Sequence, residues 1–459
     1  MQPSTPDLVT RSLRAVWHPC TQMKHHERIP LLPITSAKGA WLYDAHGRRY
    51  LDGISSWWVN LFGHAHPAIN AAVTEQLDTL EHVMLAGCTH EPAVLLAERL
   101  SALTGGTLGH AFFASDGASA VEIALKMSFH FWRNQGHADK RDFVCIDNGY
   151  HGETLGALAV TDVALFRDAY GPLLRHSHRV PSPDARLARL GESAAHVATR
   201  ALAEVARLFE ARANRIAAII VEPLVQCAAG MAMHDPSYLS GLRKLCDEYG
   251  VHLIADEIAV GFGRTGTFFA HEQAGIRPDF LCLSKGISGG YLPLSVVLST
   301  DDIHAAFYAD EVARGFLHSH SYTGNPLACR AALATLDLFE STDAIVTNEA
   351  RFDVLEQGLQ VLTSHPRVTH LRRRGAILAF DVDDHVQAGQ LGFAHRYARH
   401  ALAAGALLRP IGRTVYLMPP YILTQEEIAQ LIAATLDALD KTLSENQSMH
   451  NLHSARSST

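Results

Sequence analysis

Short apolar runs alternate with longer helical patterns through the middle of the chain. The runs are apolar at successive positions, which is typical of strands buried on both faces. They lie at residues 111–114, 143–146, 216–221, 251–255, 280–283 and 294–298. Between them, residues 119–132 and 236–249 have the periodicity of amphipathic helices. This alternation predicts an α/β fold with a mostly parallel central sheet that is covered on both sides.

The two ends of the chain have a different pattern. Residues 30–53 resemble a strand meander with a turn at 44–47, and residues after about 335 contain a helix at 349–363, strands near 376–382 and 414–418, and a last helix at 425–443. We therefore expect a smaller α+β domain built from both ends. The predicted boundaries are 1–65 and 335–443 for the two parts of the small domain, 66–334 for the large domain, and a polar, disordered tail at 444–459.

Composition narrows the class of protein. The 459 residues are 47% hydrophobic and 19% charged, with a net charge of -8, so the chain lacks the basic excess of a nucleic-acid-binding protein. Its apolar stretches are too short for membrane spans. The first residues lack a charged segment followed by an apolar one, which argues against export. Seven scattered cysteines without a CxxC motif favour a reducing cytoplasm.

Histidine is abundant, with 28 residues, but none of the close histidine pairs forms an HExxH motif or joins cysteines at zinc-finger spacing. We therefore predict no metal site.

A lysine and an aspartate follow two of the predicted strands. Lys285 comes shortly after the run 280–283, and Asp256 comes directly after the run 251–255. Charges at the ends of buried strands are unfavourable unless each has a partner. Pyridoxal phosphate offers both partners, an aldehyde for the lysine and a protonated ring nitrogen for the aspartate. The pair therefore predicts a site for this cofactor.

Two glycine-containing loops could bind an anion. Residues 115–119 are small and lie between a strand and a helix, where backbone amides can approach a phosphate; a capping box from Ser119 to Glu122 explains the same residues and is compatible with it. Residues 261–266 match GxGxxG, but two acids precede the loop and no small-residue helix follows. We interpret the second loop as a tight turn that carries Arg264 towards a pocket, and not as a dinucleotide site.

Several blocks together resemble the class III, fold-type I pyridoxal-phosphate aminotransferases. They are residues 115–122, 148–152, 221–223, 255–266, 284–286 and 324–326, and the resemblance runs from about residue 17 to 440. Three further blocks, at 17–19, 55–58 and 408–421, resemble the branch of this class that acts in biotin synthesis. The implied activity is transfer of the amino group of S-adenosylmethionine to 8-amino-7-oxononanoate. Lysine as the donor, an ω-amino acid:pyruvate aminotransferase and a cofactor-free scaffold of the same fold remain alternatives.

The resemblance also implies roles for individual residues. Lys285 would hold the cofactor and move protons, Asp256 would bind its ring nitrogen, and Tyr150 would stack near its ring. The remaining cofactor contacts would be the amides of Gly117 and Ala118, His320, and the hydroxyl of Ser321, which would reach the phosphate from the second subunit of a homodimer whose active sites lie at the interface. The expected contacts to small-molecule substrates are Cys20, Trp57, Trp58, Tyr150, Arg264, Lys285, Ser319 and Arg409.

Some of these expectations have competing explanations. One of the adjacent rings of Trp57 and Trp58 could lie in the core and the other at a dimer interface. Arg409 could form a surface salt bridge instead of binding a carboxylate. Cys20 stands where the family leads us to expect an aromatic residue, and Glu153 replaces a shorter acid, so recognition of the amine donor could differ.

Overall fold

The computed structural model describes residues 7–384 and 391–456 of the chain. The α-helices are α1 (Leu8–Ala15), α2 (Ser55–Trp58), α3 (Pro67–Leu77), α4 (Glu91–Leu103), α5 (Gly117–Asn134), α6 (Leu155–Ala159), α7 (Ala164–Arg167), α8 (Ala194–Arg212), α9 (Ser237–Tyr249), α10 (Asp301–Ala305), α11 (Pro326–Thr342), α12 (Ala344–Leu359), α13 (Phe393–Ala403) and α14 (Gln425–Arg456). The strands are β1 (Ile34–Lys38), β2 (Trp41–Asp44), β3 (Arg49–Asp52), β4 (His110–Ala114), β5 (Asp142–Ile146), β6 (His178–Val180), β7 (Ile216–Val221), β8 (Val225–Gln226), β9 (Ala232–Met233), β10 (His252–Asp256), β11 (Phe280–Leu283), β12 (Ser295–Ser299), β13 (Val368–Arg374), β14 (Ile377–Val382), β15 (Ala406–Leu407) and β16 (Thr414–Leu417). No helix within the described ranges combines the length and the apolar character needed to cross a bilayer.

A seven-stranded sheet with the order β4-β12-β11-β10-β7-β5-β6 forms the centre of the molecule. β12 runs antiparallel to both of its neighbours, and the other pairs are parallel. All six strands predicted from the apolar runs are present, with ends displaced by at most one residue. The predicted α/β class with a mostly parallel sheet is confirmed.

Both faces of this sheet are covered, which explains why its strands lack a polar face. In β7, Ile219 and Val221 belong to one core cluster, whereas Ile220 belongs to the other. Leu253 and Ile254 of β10 divide in the same way. Helix α5 packs on one face, and α8 and α9 pack on the opposite face. Successive side chains point to opposite faces, so each strand must be apolar throughout.

The two ends of the chain meet in a second sheet. Its order is β1-β2-β3-β15, so a strand from near residue 406 pairs with the N-terminal meander. The Met418 amide donates to the Gly53 carbonyl at 2.9 Å, and the Tyr421 amide donates to that of Leu61 at 2.7 Å. A third sheet, β13-β14-β16, completes the C-terminal part. The boundaries near residues 65 and 335 stay a prediction, and residues 1–6 and 385–390 lie outside the described residues.

The last helix is longer than the sequence pattern predicts. α14 begins at Gln425 as expected but continues to Arg456, so the prediction of disorder from residue 444 does not hold for 444–456. Glu445 accepts hydrogen bonds from Arg399 at 2.5 Å and His400 at 2.8 Å, which ties the helix to α13 beyond the predicted end. No glycine or proline follows to stop the helix. Residues 457–459 of the predicted tail lie outside the described residues.

Candidate active site

The structure brings Lys285 and Asp256 to the same edge of the central sheet. β10 and β11 are parallel neighbours in which Asp256 pairs with Cys282, and Lys285 follows shortly after β11. Asp256 is buried, whereas Lys285 is partly exposed. The lysine amine is therefore accessible to a ligand. Lys285 has a φ of 46°, a left-handed conformation that non-glycine residues rarely adopt. Such strain is often found at functional sites.

The surroundings of Lys285 favour a neutral amine. Burial lowers the pKa of Lys285 below its usual value, and the nearby Asp256, Cys227 and Glu222 oppose this shift. The amine nitrogen lies 5.0 Å from the centre of the Trp58 ring. The apolar ring occupies space that water would otherwise fill. A lysine in this environment gives up its proton more readily than one in water.

Two protein groups hold the Asp256 carboxylate in place. His151 Nδ1 donates to one oxygen at 2.7 Å, and the amide of Ile258 donates to the other at 3.1 Å. His151 is itself buried, and its Nε2 has no hydrogen-bond partner in the structure. The aspartate is therefore fixed from behind by an imidazole. Sequence reasoning placed His151 in a motif but assigned it no role.

Glu222 is a second buried acid behind this edge. Its carboxylate accepts from the amides of Tyr150 and Cys227, both at 3.0 Å. Burial raises the pKa of Glu222 to about 7. Sequence reasoning did not single out this residue, although an acid directly after the fully apolar β7 was a signal of the same kind as Asp256. Glu222 fixes the backbone from which the Tyr150 side chain projects.

Tyr150 lies against the Phe166 ring with centroids 5.3 Å apart, and its hydroxyl donates to Glu153 at 2.9 Å. Burial raises the pKa of Tyr150 above its usual value, and Cys20 is close enough to contribute to this shift. The longer acid at position 153 therefore orients the tyrosine hydroxyl, next to the thiol that replaces the expected aromatic residue.

The first turn of α5 offers free amides. The helix starts at Gly117, and Asp116 caps it by accepting from Ser119 N at 2.9 Å and Ser119 Oγ at 2.8 Å. The predicted capping box is therefore wrong: Ser119 is already inside the helix. The amides of Gly117 and Ala118 donate to no acceptor among the described residues. A Cβ at Gly152 would lie 2.6 Å from that of Ala118, so only glycine lets these two loops approach so closely.

Trp57 and Trp58 lie in a turn of left-handed helix and not in a strand. Residues 55–58 have φ values of 52°, 46°, 73° and 74°. Each non-glycine residue in this conformation costs about 1–2 kcal/mol. Trp58 is buried and donates from its indole nitrogen to the Tyr416 hydroxyl at 3.0 Å, whereas Trp57 is half-exposed. The turn places the Trp58 ring beside the Lys285 amine and the Trp57 ring at the protein surface.

Arg409 stacks on the exposed indole. Its guanidinium carbon lies 4.5 Å from the centre of the Trp57 ring, and one nitrogen donates to the Cys20 carbonyl at 3.5 Å. Arg409 is exposed and forms no ion pair with an acid in the described part of the chain, so the surface salt bridge considered from the sequence is not seen. The guanidinium can therefore accept a carboxylate from outside the protein.

Arg264 is not at the mouth of the site. It is 1% exposed, and its terminal nitrogens donate to the carbonyls of Pro419 and Asn60 at 3.0 Å and of Trp58 at 3.4 Å. Its guanidinium also lies over the Tyr421 ring. The interpretation that a glycine loop carries Arg264 to a pocket is therefore wrong for this structure, because backbone carbonyls occupy both of its terminal nitrogens.

The loop with Ser319, His320 and Ser321 makes no hydrogen bond or ring contact with Lys285 among the described residues. Ser319 and Ser321 are exposed, and His320 contacts His318 at 2.9 Å between ring nitrogens. Neighbouring His318 contacts Lys126 on α5 at 2.8 Å. No group of three or more potential metal ligands occurs among the described residues.

The groups at this edge match the needs of one cofactor. A partly exposed amine, a buried carboxylate and free helix amides correspond to the aldehyde, ring nitrogen and phosphate of pyridoxal phosphate. Lys285, Asp256 and the first turn of α5 are therefore the residues that fit it.

Comparisons with known proteins agree with this fit. The family model for class III aminotransferases matches residues 22–439. The chain is 45% identical to an adenosylmethionine-8-amino-7-oxononanoate aminotransferase of Helicobacter pylori over 95% of this chain and 98% of that protein. A crystal structure of the aminotransferase of the same name from Methanocaldococcus jannaschii has a TM-score of 0.88 at 34% identity and covers 95% of this chain and 98% of its own. An amine transaminase from an uncultivated Pseudomonas species, in its PLP-bound form, also has a TM-score of 0.88, at 32% identity, and covers 93% of this chain and 99% of its own.

The change Glu222→Gln should reduce the dependence of stability on pH. The folded-state pKa is about 7, whereas an unfolded glutamate titrates near 4.5. Below pH 4.5 both states hold the proton, so burial of the acid carries no charge penalty. As the pH rises from about 4.5 to about 7, the folded state binds more protons than the unfolded state and loses stability. Wild type should therefore lose stability relative to the variant across this window, measured by urea unfolding of the cofactor-free protein.

A matched control is Glu248→Gln on the exposed side of α9. Its curve of unfolding free energy against pH should run parallel to that of wild type. Parallel curves for wild type and the Glu222 variant would show that Glu222 is not the group that titrates in this window.

Proposed function

The chain belongs to the class III aminotransferase family, and we propose that it transfers the amino group of S-adenosyl-L-methionine to 8-amino-7-oxononanoate, forming 7,8-diaminononanoate in biotin synthesis. It is an aminotransferase that depends on pyridoxal phosphate. The observation that carries the proposal is the exposed guanidinium of Arg409, which stacks on Trp57 and has no acidic partner among the described residues. A keto acid with a terminal carboxylate needs such a group at a distance from the reacting carbon.

When bound, pyridoxal phosphate supplies an aldehyde for amines and a ring that takes up electrons. The Nζ atom of Lys285 accepts a proton from the substrate carbon and later releases it. To accept the proton, Nζ must first be neutral. Asp256 would hold the ring nitrogen in its protonated form, and His151 and the Ile258 amide fix the position of its carboxylate. The amides of Gly117 and Ala118 would bind the phosphate.

A second group of residues would contact the substrates. Arg409 binds the carboxylate of the keto acid in a planar fork, which a lysine could not reproduce. Trp57 and Trp58 provide flat apolar surfaces for the alkyl chain or the adenosyl group. Tyr150 presents its hydroxyl, which Glu153 orients. Cys20 lies beside it and leaves more room for the donor than an aromatic residue would.

The second subunit of a homodimer would supply Ser319, His320 and Ser321. This proposal is supported by the exposure of Ser319 and Ser321, which make no hydrogen bond with Lys285 among the described residues. Several large apolar side chains near this loop are exposed in the single chain, as expected for an interface: Tyr308, Val312, Leu317 and Tyr322. We also place the enzyme in the cytoplasm, since all seven cysteines are free and two of them are exposed.

Half-reactions followed by absorbance test the proposed donor and its rivals. S-adenosylmethionine should discharge the bound cofactor of the purified enzyme, and 8-amino-7-oxononanoate should restore it. Discharge by lysine alone would identify the lysine-dependent branch. Discharge only by β-alanine or putrescine would exclude the biotin assignment. A colourless protein that gains no visible band with pyridoxal phosphate would instead be a scaffold of the same fold.

The change Lys285→Ala should abolish turnover without unfolding the protein. Loss of the proton carrier alone should lower kcat by at least about 10³-fold, within the range of general acid–base catalysis. Steady-state rates and far-UV circular dichroism check both parts. Lys441→Ala, in an exposed ion pair with Asp437, is the control and should leave both unchanged. Full activity in the Lys285 variant would contradict the mechanism.

The change Arg409→Ala should raise the KM for the keto acid by about 10- to 100-fold, because a charge-assisted hydrogen bond contributes about 1.5–3 kcal/mol. The KM for a donor amine without a carboxylate should change much less. Arg413→Ala, an exposed arginine on the same segment, should affect neither value. Equal effects of the Arg409 change on both substrates would contradict the assigned role.

A further inference from the structure

The left-handed turn formed by Ser55, Ser56, Trp57 and Trp58 needs a physical cause. Glycine would adopt these angles freely, but the chain has two serines and two tryptophans here, all with positive φ. Residues on both sides return to negative φ, at -132° for Ile54 and -93° for Val59. Contacts from outside the turn must therefore hold it in a conformation that its own residues disfavour.

The carboxylate of Asp52 is the centre of those contacts. Asp52 is 0% exposed. One of its oxygens accepts from the Ser56 amide at 2.9 Å and from that of Ile54 at 3.4 Å. The other accepts from the Ser56 hydroxyl at 2.7 Å and lies 3.0 Å from His64 Nε2. These bonds are made with the turn in its left-handed form, so they favour that form over the relaxed one.

Two further contacts secure the end of the turn. Arg264 donates to the Trp58 carbonyl, and the Ser55 hydroxyl donates to the Met418 carbonyl at 2.7 Å. The loop after Lys285 also packs directly on this segment: a Cβ at Gly290 would lie 2.9 Å from Asn60 Cα. The turn is thereby joined to the loop of the lysine itself.

The turn determines where both indole rings lie. The Trp58 ring is 5.0 Å from Lys285 Nζ, and the Trp57 ring is 4.5 Å from the Arg409 guanidinium carbon. A change of φ from positive to negative at these residues would redirect both side chains. This one backbone conformation therefore determines the positions of both apolar rings, one beside Lys285 and the other beside Arg409.

We propose that Asp52, with His64 behind it, is a positioning residue that holds the Ser55–Trp58 turn left-handed and so places the two indole rings against Lys285 and Arg409. Asp52 is fully buried, so it acts through the turn and touches neither substrate nor cofactor. The effect on turnover rests on the proposed function, whereas the effect on the surroundings of Lys285 does not.

The experiment compares Asp52→Ala with Asp44→Ala in the enzyme loaded with pyridoxal phosphate. Asp44 is an equally buried acid of the same sheet that also accepts four hydrogen bonds, from the amides of His46 and Arg48, the Arg48 side chain and the Tyr50 hydroxyl. It holds the turn between β2 and β3. Any general effect of losing a buried acid should appear in both variants.

Asp52→Ala should lower kcat/KM for the keto acid at least tenfold, with an increase in KM. It should also shift the midpoint of the pH titration of the visible cofactor band by at least half a unit, because Trp58 no longer shields Lys285 from water. Asp44→Ala should change kcat/KM less than threefold and leave the midpoint in place. Adding Ser56→Gly to the Asp52 variant should recover at least threefold of the loss, since glycine adopts the left-handed conformation without the carboxylate.

The proposal is overturned if Asp52→Ala leaves both readouts unchanged, if both alanine variants lose activity alike, or if the added glycine recovers nothing. Should Asp52→Ala not yield folded enzyme, Asp52→Asn is judged by the same criteria. The titration requires no substrate. A wild-type enzyme that fails to aminate the keto acid would refute the proposed function, while the titration would still decide the role of Asp52.

Discussion

An amine and a carboxylate at the edge of an apolar sheet are the constraint on which the rest of this structure depends. Asp256 is the last residue of β10 and Lys285 follows β11, and the side chains of both strands are buried, so the protein replaces most of the water that would solvate either group. His151 and a backbone amide satisfy the aspartate, and the Trp58 ring covers one side of the lysine. The burial that makes these charges unfavourable also lowers the pKa of the lysine, which is the property that proton transfer requires.

Backbone strain is concentrated around the same edge. Lys285 has a positive φ, and so does every residue of the turn that carries the two tryptophans. Residues keep such conformations only where several contacts with the surrounding structure hold them in place. Here Asp52 and Arg264 make those contacts, since both are buried and each binds several groups of the turn or of the residues next to it. Among the described residues Arg264 has no carboxylate partner, and the backbone carbonyls that it binds take that place.

The parts that could be predicted from the sequence are those with a local signal. Strands buried on both faces are apolar at every position, so β7 and β11 were located with the bounds seen in the structure. Arg264 shows the opposite case. Its glycine-rich surroundings predict a tight turn, but its direction depends on the carbonyls of Asn60 and Pro419, far away in the sequence. The same is true of the indole of Trp58, whose hydrogen-bond partner is Tyr416.

The sequence by itself determined the class of fold, the strand ends that carry Lys285 and Asp256, and the cofactor that these two residues need. Apolar periodicity and a charged residue after a buried run depend only on residues that are neighbours in the sequence. Both can therefore be recognised before the fold is known. Only the tertiary structure decided that His151 and Glu222 support the site, that Arg264 lies inside the core, and that the two tryptophans share a left-handed turn. Each of these depends on groups that are distant along the chain and become neighbours only when the sheets and loops pack together.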